Sequence, residues 1–149
     1  IPFIVRWPGK IKPGSQCAEP ISLTNLLATC SGILNIKLAE NEGEDSFSIL
    51  PLLLGNNRRF KKPGAIVQHS SRGIFAVRQG DWKLIIGLGS GGFSKPETVI
   101  PKEGEAPGQL YNLRADPSET TNLYQQYPEK VKELNDVLKK FQDTGRSRY

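Results

Sequence analysis

The chain has 149 residues, 37% of them hydrophobic and 23% charged, a balance that buries one modest core. Its formal charge of +5, from 20 Lys and Arg against 15 Asp and Glu, is a mild excess that favours anionic partners or serves solubility alone. No run approaches the roughly 18 apolar residues of a membrane span, and the opening has neither the basic region nor the small-residue cleavage site of a signal peptide.

The predicted elements begin with Phe3-Ile4-Val5, a buried strand closing at Pro8-Gly9. Pro13, Gly14 and Pro20 make residues 10 to 20 a loop. A short helix follows. Ser22 is placed to cap it, Leu23, Leu26, Leu27 and Cys30 fall on one face, and Gly32 is placed to end it. Residues 35 to 63 read as mostly irregular, apart from the apolar Ile49-Leu50 and Leu52-Leu53-Leu54 around Pro51.

The period then changes to 2. Residues 73 to 79 alternate Ile74, Ala76 and Arg78 against Phe75 and Val77, and residues 82 to 88 form a second strand. Gly80-Asp81 between them suits a two-residue hairpin turn. Another strand is predicted over 109 to 113, after a loop carrying Pro96, Pro101 and Pro107. Asp116-Pro117-Ser118-Glu119 reads as a turn. Residues 128 to 141 form the last helix, with Val131, Leu134, Val137, Leu138 and Phe141 on one face, Pro128 at its start and Gly145 beyond its end.

Motifs that promise chemistry mostly fail on their context. Arg58-Arg59-Phe60-Lys61-Lys62 interleaves an aromatic with cations, as nucleic-acid contacts do, but its Gly55-Asn56-Asn57 and Pro63-Gly64 flanks favour a solvated loop. Residues 87 to 92 spell G-x-G-x-x-G after a strand. A dinucleotide site needs a helix to follow, whereas Ser94-Lys95-Pro96 leads into a Pro-rich loop. Cys17 and Cys30 match no metal-binding spacing, and whether they are bonded stays open. No G-x-S-x-G occurs, His69 is the only His, and the five Asp residues are far apart, so no local segment offers a triad or a cation site.

Five stretches, in order and at matching spacing, carry a resemblance: PFIVRWPGKIKPGS, SLTNLLAT, EDSFSILPLLLG, HSSRGIFAVRQGDWKL and LYNLRADPSETTNL. Together they resemble the C-terminal portion of formylglycine-dependent sulfatases of the arylsulfatase type, in the alkaline phosphatase superfamily. The absence of Met also suits an excised piece of a longer protein. The resemblance implies an α+β chain. Residues 1–63 would be the end of a larger α/β catalytic domain, contributing its strand and helix. Residues 64–149 would be a subdomain with a small antiparallel sheet packed against a C-terminal helix.

It further implies that Pro2 closes a Gly-Gly-x-Arg-x-Pro stretch and that an active-site lysine, the calcium-binding aspartates and the formylglycine all lie upstream. Formylglycine arises from Cys or Ser in [CS]-x-P-x-R. Cys17 has Glu19 and Ile21 at the Pro and Arg places, and Cys30 has Gly32 and Leu34. Neither cysteine fits, so the isolated chain is predicted inactive. His69 is the implied substrate-binding residue, although Gln68 stands where relatives carry the first His of a pair. Arg72 and Lys95 are further candidates, and a structural role for His69 is the alternative. Asn25 replaces a usual Asp, and Trp82 and Phe75 read as core rather than as sugar platforms.

The implied partners are the upstream catalytic domain and a sulfated small molecule or glycan, with self-association through an exposed apolar face; no membrane partner is implied, and nucleic acid is disfavoured. An exported, periplasmic or secreted parent is the localisation expected. Two other readings remain: the same region of a phosphate or phosphonate ester hydrolase, and a stand-alone basic module binding sulfated glycan or nucleic acid.

Overall fold

A computed structural model describes residues 2–92 and 94–148. The chain forms two compact units, residues 1–63 with 146–149, and residues 64–145.

In the first unit Phe3, Ile4 and Val5 are exposed and pair with no other segment among the described residues. A strand is defined by its partner ladder, so this expected strand is unpaired chain here. Helix α1, Asn25–Leu34, starts after Thr24 rather than at Ser22, whose hydroxyl instead accepts from the Thr24 hydroxyl at 3.0 Å. Gly32 lies inside it. The helix ends at Asn35, left-handed at φ 55°, where Ile36 N–H donates to the Ser31 carbonyl at 2.9 Å. Asn tolerates that conformation because its short polar side chain bonds locally.

Helix α1 is turned against its own hydrophobicity. Its buried residues are Asn25 and Thr29, one turn apart, while Leu23 just before it and Leu27 within it are 76% and 52% exposed. The polar face is held by specific bonds: Thr29 Oγ1 donates to the Asn25 carbonyl at 2.6 Å and accepts from Ile49 N–H at 3.0 Å, and Ser46 Oγ accepts from Ala28 N–H at 2.8 Å.

The apolar run around Pro51, set apart from the irregular chain on either side, is a short helix, α2, Leu50–Leu53. Pro51 suits its first turn, where an intrahelical N–H has no partner to lose. Ile49, Leu52 and Phe60 form a small core with Ile21 and Leu53. Phe60 is therefore an anchor for the basic run, not a stacking platform, and Arg58, Arg59, Lys61 and Lys62 are exposed around it. Residues 57–59 form one 3₁₀ turn. Cys17 and Cys30 are free and exposed. Residues 146–148 close the unit: Arg148 N–H donates to the Glu44 carbonyl at 2.8 Å, and Arg146 Nη2 to the Glu40 carbonyl at 2.7 Å.

The second unit is a four-stranded antiparallel sheet in chain order, β1 Ile66–His69, β2 Phe75–Gln79, β3 Trp82–Ile85 and β4 Gln109–Asn112. Strand β1 has no counterpart in the sequence reading. Pairing of Gln79 with Trp82 leaves Gly80 and Asp81 as the hairpin turn, with Gly80 left-handed at φ 59°. Val67, Val77, Leu84 and Leu110 fall in register on one row across all four strands. That row meets helix α3, Pro128–Thr144, through Val131, Leu134 and Leu138, with Val137 and Phe141 packed beside them.

Of these core residues, Val77, Leu84, Leu110 and Leu134 are fully buried. Each fully buried aliphatic side chain contributes about 1.5–3 kcal/mol of transfer free energy. Trp82 and Phe75 pack against the same core, Trp82 with its ring 5.3 Å from that of Tyr127.

The opposite row places Lys83 beside Tyr111. Lys83 Nζ donates to both Glu119 oxygens, at 2.7 and 3.0 Å. Burial raises the Tyr111 phenol above its ordinary pKa, and the Glu119 and Asp116 carboxylates add to the shift. The turn after β4 is held by Asp116, whose Oδ2 accepts from Thr120 and Thr121 N–H at 2.7 and 2.8 Å.

Candidate functional site

The predicted site residues lie where three segments of the second unit interlock. The first is the turn after β1. Ser70 N–H donates to the Ile74 carbonyl at 2.9 Å, and Ser70 Oγ accepts from Ile74 N–H at 3.0 Å. These bonds fold residues 70–73 back on β2 and set His69 at the strand's end. His69 is exposed, with its ring edge-on to Phe75 at a centroid distance of 4.9 Å.

The second segment is the glycine run 87–92. Among the described residues no helix opens directly after it, and its backbone is bonded to neighbouring backbone. Arg72 N–H and Ser71 Oγ both donate to the Gly91 carbonyl, at 3.3 and 3.1 Å. The third segment follows Ser94. Ser90 N–H donates to the Pro96 carbonyl at 3.0 Å, Gly91 N–H to the Glu97 carbonyl at 2.9 Å, and Val99 N–H to the Leu88 carbonyl at 3.2 Å. The packing is close enough to demand glycine at 89. At φ +94°, a Cβ there would stand 2.7 Å from the Glu97 carbonyl oxygen.

This interlock fixes an open cleft lined by Arg72, Lys95, Pro96, Glu97 and Thr98. Arg72 Nε donates to Glu97 Oε2 at 2.7 Å, and Arg72 Nη2 pairs with the same oxygen. Arg72 and Lys95 are thus brought together, whereas His69 does not line the cleft and stands at the base of the same turn. Glu97 escaped the sequence reading because its partner is 25 residues away. The Ser70 and Ser71 hydroxyls tie the turn together.

Among the described residues no three His, Cys, Asp or Glu side chains converge. The Asp116 carboxylate is held below its ordinary pKa first by the Thr121 amide.

No family model matches the chain. Among curated proteins it is similar to N-acetylgalactosamine-6-O-sulfatase of Bacteroides thetaiotaomicron, 36% identical over 138 residues, covering 93% of this chain and 26% of that protein. The chain is homologous to the sulfatases. It matches the C-terminal part of the family.

The chain is also 28% identical over 154 residues to Arylsulfatase K of Xenopus laevis, covering 96% of the chain and 26% of the relative. A solved structure concerned with metabolism of multiple glycosaminoglycans by Bacteroides thetaiotaomicron superposes with a TM-score of 0.72 at 34% identity, over 92% of this chain and 28% of that one. The chain spans about a quarter of the length of the curated relatives it matches.

Proposed function

We propose that this chain is the C-terminal portion of a sulfuric ester hydrolase acting on a sulfated glycan, and that it shapes the mouth of the substrate pocket while upstream sequence supplies the chemistry. The observation that carries the reading is the similarity over 93% of the chain to a sulfatase of a sulfated amino sugar. The inverted burial of α1 supports it. Exposed Leu23, Leu26 and Leu27 form an apolar surface of the kind that another body covers, and the preceding catalytic domain is the occupant we assign.

The attacking group and calcium would come from that domain and act at sulfur. This chain's part is binding and orientation. His69 would meet the sugar on the leaving-alcohol side, donating or accepting one hydrogen bond. A contact made there is lost selectively with a large natural substrate. The test is His69→Ala in the complete enzyme, with kcat/KM measured on a sulfated glycan and on a small aryl sulfate. A loss of about tenfold on the glycan alone, about 1.4 kcal/mol of transition-state binding, is expected. Equal large losses on both would move His69 into the chemistry, and no loss on either would make it structural.

A further inference from the structure

We infer that the Arg72–Lys95 cleft is a subsite for a second anionic group of the glycan, a carboxylate or a sulfate on the sugar next to the scissile ester, and that Glu97 is its positioning residue. The inference rests on the glycan reading above and adds to it a specificity determinant separate from His69.

The argument starts from charge. Three ionised side chains meet in the cleft, two cationic and one anionic, leaving it one positive charge in excess. Glu97 engages Arg72 through one oxygen only, by the Nε and Nη2 atoms. A guanidinium has five N–H donors in a rigid fork, so the remaining donors stay available to an incoming oxyanion. Lys95 has no ion-pair partner among the described residues and contributes an uncompensated ammonium. Thr98 adds a hydroxyl to the same lining.

Rigidity is the second element. A flexible pair of surface cations loses rotamer entropy on binding, which offsets most of the gain. Here Glu97 holds the Arg72 side chain in place. The backbone on both sides is tied to the glycine run at Gly91 and Ser90. The glycine run thereby acquires a role: it clamps the two stretches of chain that present Arg72 and Lys95. Glu97 also limits the charge of the cleft, so a singly anionic group is matched.

The experiment uses the complete enzyme and two substrates, a 6-O-sulfated hexosamine alone and the same sugar joined to a uronate. Lys95→Ala is expected to raise KM about tenfold on the disaccharide, leave its kcat within about twofold, and change the monosaccharide little. Glu97→Gln keeps an acceptor for Arg72 but raises the excess charge, so the salt dependence of disaccharide KM should steepen, whereas Lys95→Ala should flatten it. A purely structural role would not move the two slopes in opposite directions.

A uronate methyl ester and a disaccharide carrying a second sulfate distinguish carboxylate from sulfate as the occupant. Equal effects of Lys95→Ala on both substrates, no effect on either, or unmoved salt slopes would overturn the subsite. If the enzyme turns over neither sulfate ester, the proposed function fails. The subsite is then decided by calorimetric titration of the disaccharide: about tenfold weaker binding to Lys95→Ala supports it and equal binding rejects it.

Discussion

Gly89→Ala perturbs the clamp at its tightest point. The substitution has two separable costs. An L-residue at φ +94° is strained by about 1–3 kcal/mol. The added methyl would also stand 2.7 Å from the Glu97 carbonyl oxygen and 3.0 Å from that of Pro96, both backbone atoms that no rotamer change moves. Relief requires residues 96–97 to withdraw, which lengthens the Ser90–Pro96 and Gly91–Glu97 hydrogen bonds. At about 1 kcal/mol for each bond, the contact adds about 2 kcal/mol to the dihedral strain.

Gly104→Ala is the matched control. Its φ is +81° and nothing lies within 4 Å of the new Cβ, so only the dihedral strain applies. Urea unfolding of the two variants should therefore differ by about 2 kcal/mol, and the amides of Ser90 and Gly91 should exchange about thirtyfold faster in Gly89→Ala than in the control. Equal destabilisation of the two variants, or unchanged exchange at Ser90 and Gly91, would refute the clamp.

Leu134→Ala, which empties a fully buried position between α3 and the sheet, should cost about 2–5 kcal/mol, while Leu27→Ala on the exposed face of α1 should stay within about 0.5 kcal/mol by the same denaturation measurement. Asp116→Asn should reveal an acid-sensitive contribution. The folded-state pKa is depressed, so the stabilisation is present above the unfolded value of about 4 and lost as pH falls through the folded one. The stability gap between wild type and variant, from unfolding curves at stepped pH, should be flat from pH 5 to 8 and close below about pH 4; a gap independent of pH down to 2 would contradict it.

What was legible in the sequence was what local rules decide. Helix α3 carries its period, its Pro128 start and its Gly145 end within one stretch, and the β2–β3 hairpin is specified by two turn residues. Strand β1 was not legible, because Ile66 and Val67 are too short an apolar run to signal a strand until β2 lies beside them. Helix α1 was located but its end and its inward face were not. Asn35 rather than Gly32 took the left-handed position, and Thr29 was drawn inward by the Ile49 amide, a partner 20 residues away. The site followed the same division: His69 and Arg72 could be named from their motif, whereas Glu97 becomes meaningful only when the chain returns to Arg72.

The tail bonds described for the first unit join residues 106 to 109 positions apart, from Arg146 to Glu40 and from Arg148 to Ala39. Residues 146–148 therefore belong to the same unit as the chain before residue 64, although residues 64–145 separate them in sequence. Closing so long a loop while it is unfolded has an entropy cost that grows with the logarithm of its length. Removal of residues 146–148 would take these bonds away and loosen the chain a hundred residues upstream, around Ala39 to Asp45.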